Sequence, residues 1–172
     1  MEWNINKGSN VCTVCGKELV EEEEYFSALF DGSTIFHRKD FCAVCWQNNA
    51  EKGFFSFWKT KVPKKDKPVQ KFVNTEIFLD IFFRLEKTDD VHKKNLRYVL
   101  SLYLIRKRIF RLKSFKKQDE NELIIIYYPK EDREFDVINP NLKESEIAAL
   151  TSEMNQLLNY PYIEQDVIQV GT

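Results

Sequence analysis

Four cysteines, all within the first 45 residues, constrain the fold of this chain more than any other feature. They form two pairs, Cys12 with Cys15 in the segment CTVCG, and Cys42 with Cys45 in the segment CAVCW. Two residues separate the thiols of each pair, a spacing that lets a tight turn present both sulfurs to one metal ion. Gly16 can adopt the positive φ that such a turn needs. Because all four ligands are thiols, the pattern predicts one closed, structural Zn²⁺ site.

Two other uses of these thiols, and one other ligand, are alternatives to structural zinc held by four cysteines. Residues 1–10 contain no apolar secretory segment, so we expect a reducing cytoplasm, where paired cysteines more often bind metal than form disulfides. A redox switch built on releasable zinc would need exposed, reactive thiolates, which a sequence does not reveal. His37 lies between the pairs and can replace a thiolate as a ligand. Structural zinc held by four cysteines is the leading prediction.

The segment between the cysteine pairs has the pattern of a β-hairpin. Residues 25–30 and 33–38 flank Asp31-Gly32, a dipeptide typical of two-residue turns. In that register Phe30 pairs with Ser33. The sequence therefore predicts a tight hairpin between the two pairs.

Helix-compatible residues follow the second pair from 43 to 52, and Asp40 is placed to cap them. A knuckle with Cys12, Cys15 and Gly16, then a hairpin, then Cys42 and Cys45 at a helix start resembles the treble-clef zinc fingers and, more loosely, the zinc ribbons. The likeness covers residues 10–52. It implies a small zinc-held scaffold but no particular function, because such modules bind nucleic acids or proteins.

The composition changes after this module. Residues 54–58 are an aromatic cluster, and residues 59–68 are rich in lysine with a proline at 63 and at 68. Proline-rich segments are extended and fairly stiff. We therefore predict a zinc module over 1–55 and a basic linker over 56–74.

Residues 75–172 are predicted to form a second domain of order α-α-β-β-α, which makes the whole chain α+β. Apolar residues recur at helical spacing over 75–87, where Asn74 is placed as a cap, and over 91–113, where Asp89 or Asp90 can serve.

A hairpin and a last helix complete this domain. Apolar residues 122–128 and the alternating residues 133–138 predict two strands joined by a four-residue loop. Asn141-Leu142-Lys143-Glu144 then has the pattern of a capped helix start.

The net charge of −1 conceals strong segregation: residues 54–74 carry +5, residues 90–118 carry +9, and residues 119–172 carry −9. Such basic segments either contact phosphate or an acidic partner, or pair with acidic residues of the same chain. The candidate binding residues are Lys59, Lys61, Lys64, Lys65, Arg106, Lys107, Arg108, Arg111 and Lys113.

The sequence favours a binding function over catalysis. It has only two histidines, no glycine-rich phosphate loop and no convincing pair of catalytic carboxylates. The leading hypothesis is a non-catalytic zinc protein that binds nucleic acid or a ribonucleoprotein of transcription or translation. The alternative is a protein–protein adaptor that docks through the aromatic cluster or the acidic C-terminal region. No apolar run approaches the length of a membrane span, so we expect a cytoplasmic protein that does not enter a membrane. The sequence indicates no small-molecule substrate.

Overall fold

The computed structural model describes residues 10–32, 36–49, 53–62, 64, 66 and 75–158. These residues fall into two compact units, one with the described residues up to 66 together with 154–158, the other with residues 75–153. The described parts contain two three-stranded antiparallel sheets and four helices. The predicted mixture of α and β structure is confirmed.

The first unit is built on a sheet with strand order β2-β1-β3. Its elements are β1 (Glu24–Asp31), β2 (Phe36–Cys42), α1 (Ala43–Asn49) and β3 (Ser56–Lys61). α1 packs against β1 and β2. One face of the sheet buries Ala28 and Phe41, and the other face leads to the cysteines through Tyr25 and Cys42.

The connection between β1 and β2 is longer than predicted. Phe30 pairs with His37 rather than with Ser33, and the strands are joined through residues 32–35. The predicted two-residue turn is therefore wrong. The observed partner lies four residues further along the chain. An even offset keeps each side chain on the same face, so alternation alone does not distinguish the two registers.

Residues 56–61 form strand β3, so the predicted linker over 56–74 is wrong for this part. β3 pairs with β1, with Trp58 opposite Ser27. Trp58 is buried while Phe57 and Lys59 are exposed, which is the alternation of a strand covered on one face. The lysines thus mark the outer face of a strand. Residues 63, 65 and 67–74 lie outside the described part of the chain.

The helix predicted after the second cysteine pair is confirmed over Ala43–Asn49, and residues 50–52 lie outside the described residues. Asp40 does not cap it. Asp40 lies within β2, where its buried carboxylate accepts hydrogen bonds from Ser27 and Arg38. A side chain that is buried against the sheet is not available to cap a helix that begins three residues later.

The second unit follows the order α-α-β-β-β-α, one strand more than predicted. Its elements are α2 (Thr75–Arg84), α3 (Val91–Arg106), β4 (Arg111–Gln118), β5 (Asn121–Tyr128), β6 (Arg133–Asn139) and residues 144–153 of α4 (Glu144–Leu158). The strands are arranged in the order β4-β5-β6. α2 packs on α3, and α3 lies against β6.

Aromatic rings fill the core of the second unit. The ring of Phe82 in α2 lies 5.0 Å from that of Phe110 and 5.5 Å from that of Phe135 in β6. The guanidinium of Arg97 in α3 lies 4.5 Å from the centre of the same Phe82 ring. Phe82 is therefore the side chain around which two helices and the sheet meet.

The helix predicted over 91–113 ends at Arg106, and this prediction is wrong for residues 107–113. Arg108 has a φ of 60°, and its amide donates to the carbonyl of Ile105 at 2.9 Å. The amide of Ile109 donates to the carbonyl of Leu104 at 3.0 Å. These two bonds form a Schellman C-cap, which closes the helix although neither glycine nor proline signals its end. The basic residues from Arg111 onward therefore lie on a strand.

The predicted hairpin and last helix are confirmed. β5 pairs antiparallel with β6, with Ile124 opposite Val137. At the start of α4 the amide of Lys143 donates to the carboxylate of Glu146 at 2.8 Å, as in a capping box. Residues 159–172 lie outside the described part. Among the described helices, none is both long and apolar enough to cross a membrane.

Candidate metal centre

The first cysteine pair lies on a tight turn that its own backbone closes. Val11 and Glu18 form an antiparallel bridge. Inside it, the amide of Cys12 donates to the carbonyl of Lys17 at 2.8 Å, and the amide of Gly16 donates to the carbonyl of Cys12 at 3.0 Å. Gly16 has a φ of 72°, as expected from its position after the pair. The turn therefore holds the two thiols of this pair on one side.

The second pair spans the junction between β2 and α1. Cys42 is the last residue of β2, and Cys45 lies in the first turn of α1. The amide of Thr13 donates to the carbonyl of Asp40 at 2.8 Å, which connects the first turn directly to β2. This bond brings together two segments that lie almost thirty residues apart in the sequence.

The four sulfurs converge on one point. The Sγ atoms of Cys12, Cys15, Cys42 and Cys45 all lie within 4.8 Å of one another. The Sγ atoms of Cys15 and Cys42 are 3.9 Å apart, and none of the four cysteines forms a disulfide. Four sulfurs at the usual zinc–sulfur distance of about 2.3 Å from one ion lie about 3.8 Å from each other. These residues can therefore hold one metal ion.

The pKa values of two of the cysteines also favour the binding of a cation. Burial raises the pKa of Cys12, but hydrogen bonds from the amides of Cys15, Cys42 and Val14 outweigh it and lower that pKa to about 6. Hydrogen bonding to Cys42, with burial, raises the pKa of Cys45 to about 12. The backbone thus stabilises negative charge on sulfur, and a neighbouring thiol supplies the proton that a metal ion would replace.

A small apolar cluster surrounds the sulfurs. Leu19, Tyr25 and Val62 pack with Cys12, Cys42 and Cys45 as buried side chains, whereas Cys15 is exposed. Val62 is held by an exchange of backbone hydrogen bonds with Glu22 and Glu23. Three of the four possible ligands are therefore shielded from water, and access to the centre is from the side of Cys15.

His37, the alternative ligand, does not belong to this group of cysteines. It lies in β2 with its ring 5.6 Å from that of Phe30. The β1–β2 register places it at the far end of the hairpin from Cys42. The alternative in which His37 replaces one of the four cysteines as a ligand is therefore wrong.

Sequence reasoning missed a buried polar network in the strands next to the four cysteines. Arg38 donates to Asp40 at 2.7 Å and to the hydroxyl of Ser27 at 2.8 Å, and that hydroxyl donates to Asp40 at 2.6 Å. The guanidinium of Arg38 also lies over the ring of Trp58. The available signal was the spacing of Arg38, Asp40 and Cys42, since alternate residues of a strand share one face.

The lysines of the first basic segment are paired with acidic residues. Lys59 lies 2.6 Å from Glu24, Lys61 lies 3.9 Å from the same carboxylate, and Lys64 lies 2.9 Å from Glu22. Lys65 lies outside the described residues. The acidic run before β1 therefore neutralises much of the charge that the sequence offered to a partner here.

The second basic segment is divided between a helix end and a strand. Arg106, Lys107 and Arg108 are exposed at the end of α3, and Arg111 and Lys113 are exposed on β4. Lys113 forms an ion pair with Glu134. The others have no carboxylate of the described residues within 4.0 Å. Apart from Lys113, the positive charge of this segment is therefore not paired with a carboxylate of the described residues.

The chain matches no protein-family model, no curated protein sequence and no solved structure.

Proposed function

We propose that this protein is a non-catalytic, zinc-stabilised binding protein whose four cysteines hold one structural Zn²⁺ ion. The convergence of four sulfurs within 4.8 Å supports a single tetrahedral ion. Thiolates fill every position of such a site and leave none for water or substrate, which favours a structural role. Four sulfurs also suit iron, so analysis of the metal content of the purified protein tests the assignment.

The proposed module is a treble clef. Its support is the order of elements, with one cysteine pair on a closed turn, a hairpin, and the second pair where β2 passes into α1. The buried cluster around the sulfurs is small. Because unfolded chains offer no preformed site, metal binding contributes directly to folding in modules of this kind. Free thiols and a zinc site fit a reducing compartment such as the cytoplasm.

The proposed ligand is nucleic acid, either free or in a ribonucleoprotein, and the proposed contact surface is residues 106–117. The observation that carries this proposal is the exposure of Arg106, Arg108 and Arg111 with no carboxylate of the described residues within 4.0 Å. Unpaired arginines are well suited to bind phosphate. Lys59, Lys61 and Lys64 contribute less because Glu22 and Glu24 already pair with them.

A salt titration tests this function. We expect binding to a labelled oligonucleotide to weaken steeply with salt, because each phosphate contact contributes about 0.7 to 0.9 to the log–log slope. The triple variant Arg106→Ala, Arg108→Ala, Arg111→Ala should lower that slope by about 2 to 3. The matched control is Lys59→Ala, Lys61→Ala, Lys64→Ala, which should change it little. Binding that does not depend on the salt concentration, or an equal decrease of the slope in both variants, would refute the proposal.

A second candidate function, a protein–protein adaptor, is favoured by the aromatic cluster on the first unit. The ring of Trp46 lies 5.0 Å from Phe26, 5.6 Å from Phe54 and 5.0 Å from Phe57. Phe57 is 45% exposed. A discrete protein that co-purifies after nuclease treatment, and is lost with Phe57→Ala, would favour this function over nucleic-acid binding.

A further inference from the structure

The β4 strand is exposed along its whole length. All eight of its residues are exposed, and among the described strands it pairs only with β5, which leaves its other edge open. Its sequence RLKSFKKQ contains four cations and no acidic residue. Lysines commonly protect an open edge against pairing with another strand. Edge protection accounts for the charges but not for the two large apolar side chains between them.

These two side chains are Leu112 and Phe115, which are 43% and 63% exposed. Leu112 lies opposite Ile126, and Phe115 lies opposite Ile124. Residues opposite one another in an antiparallel pair share a face, and Ile124 and Ile126 are buried in the core. Leu112 and Phe115 therefore extend the core face of the sheet.

The helices do not cover this extension. α3 packs against β6, at the opposite edge of the sheet from β4. The result is an apolar ledge formed by Leu112 and Phe115. Lys117, opposite Glu122, lies on the same face of β4, whereas Arg111 and Lys116, opposite Tyr127 and Leu123, lie on the other face of the same open edge. No carboxylate of the described residues lies within 4.0 Å of those three cations.

Charge decides which partner suits this ledge. A second copy of the chain, paired edge to edge, would place four cations of β4 against four others, which disfavours a homodimer. The complementary partner is anionic and has flat apolar groups that can cover Phe115. Single-stranded nucleic acid has both properties, since its phosphates are charged and its unpaired bases can stack on an aromatic ring.

We propose that β4 binds single-stranded nucleic acid along its open edge, with one base stacked on Phe115 and the phosphates held by Lys117 on the same face and by Arg111 and Lys116 on the opposite face. This inference rests on the proposed function and specifies its ligand. In a duplex both faces of each base are already stacked on other bases, so the ring of Phe115 cannot stack on them. Leu112 supplies further apolar contact beside the stacked base.

Fluorescence anisotropy with three labelled probes tests the proposal on the full, zinc-loaded chain. The probes are a thymidine oligonucleotide of about 12 nucleotides, a duplex of the same length, and a glutamate-rich peptide. The single strand should bind most tightly. Phe115→Ala should weaken the binding of the single strand about 5-fold to 100-fold and leave its salt slope unchanged. Phe115→Tyr should restore binding, because a tyrosine ring stacks equally well.

Two further variants separate stacking from charge. Lys116→Ala with Lys117→Ala should lower the log–log salt slope for the single strand by about 1.4. Phe57→Ala is the matched control, an exposed phenylalanine of the first unit, and should not alter binding. Because Phe115 is exposed, its alanine variant should unfold at the wild-type temperature, which separates a lost contact from a lost fold.

The possible failures are distinguishable. Salt-dependent binding that Phe115→Ala leaves intact, or equal affinity for the duplex, would overturn the stacking inference while the proposed function stands. Tighter binding of the acidic peptide than of the oligonucleotide would overturn it in favour of strand addition by a protein. No binding of either nucleic acid would remove the inference and the proposed function together.

Discussion

Nε of Arg38 donates a hydrogen bond of 2.7 Å to Oδ1 of Asp40, and both side chains are more than nine-tenths buried. A buried ion pair compensates its desolvation only when further hydrogen bonds satisfy it, and Ser27 supplies one to each partner. The carbonyl of Asp40 also accepts the amide of Thr13. The pair therefore fixes the strand to which the first cysteine turn is attached.

Removing the carboxylate should destabilise the first unit strongly. In Asp40→Ala the charge of Arg38 stays buried without its partner, which typically costs about 3–5 kcal/mol of unfolding free energy. Urea unfolding of the zinc-loaded protein measures this. The double variant Arg38→Met, Asp40→Leu removes both charges, so its unfolding free energy should be closer to that of the wild type. A loss below about 1 kcal/mol in Asp40→Ala would show that the pair does not hold β2 in place.

Loss of one proposed ligand should release the metal. We expect about one zinc per wild-type chain, and far less in Cys45→Ser, because a hydroxyl is a poor ligand for Zn²⁺. Structural zinc binds with about 10–16 kcal/mol in small modules, so the first unit should also unfold. Metal analysis together with circular dichroism measures both effects.

The control for the ligand variant is Val44→Ser, which changes the exposed neighbour of Cys45 in the first turn of α1. It should keep both the metal and the fold. A Cys45→Ser protein that retains full zinc, or a wild-type protein that folds without metal, would contradict a structural zinc site.

The sequence predicted best where local chemistry and periodicity agreed. Two short cysteine spacings were enough to predict that the four sulfurs lie together, because a sulfur pair on a tight turn has few alternative uses. The apolar face of α2 and the β5–β6 hairpin followed from periodicity. Asp90, one of two predicted caps, accepts the amide of Lys93 at 3.0 Å.

The sequence failed where tertiary contacts override local pattern. Ile105, Ile109 and Leu112 have helical spacing, yet Arg108 adopts a left-handed φ and the chain continues as β4. The lysines of β3 are typical of a linker, although Trp58 and Val62 are buried and alternate with exposed residues as in a strand. In both segments the pairing strand decides the conformation, and a single sequence does not identify that partner.

The Asp90 cap gives a prediction that depends on pH. The hydrogen bond from the amide of Lys93 holds the pKa of Asp90 below its usual range. A carboxylate with a lowered pKa stabilises the fold fully above its unfolded pKa, and this contribution is lost as the pH falls through the folded value. Asp90→Ala should therefore lower the melting temperature by a few degrees near neutral pH, and less below about pH 4.

Asp89→Ala is the matched control for the cap, since Asp89 is the exposed neighbour that does not cap α3. It should melt within about a degree of the wild type. Equal shifts in the two variants, or a difference that grows as the pH falls, would contradict the assignment of Asp90 as the capping residue.

The Phe82 ring should be the most sensitive apolar position of the second unit. It is fully buried and meets Phe110, Phe135 and the guanidinium of Arg97. Phe82→Ala should cost about 3–5 kcal/mol of unfolding free energy, since it leaves a cavity and removes the ring that the guanidinium of Arg97 contacts. Phe115→Ala makes the same chemical change on an exposed ring and should cost little. Chemical denaturation of both variants measures the contrast, and similar losses would mean that the core does not centre on Phe82.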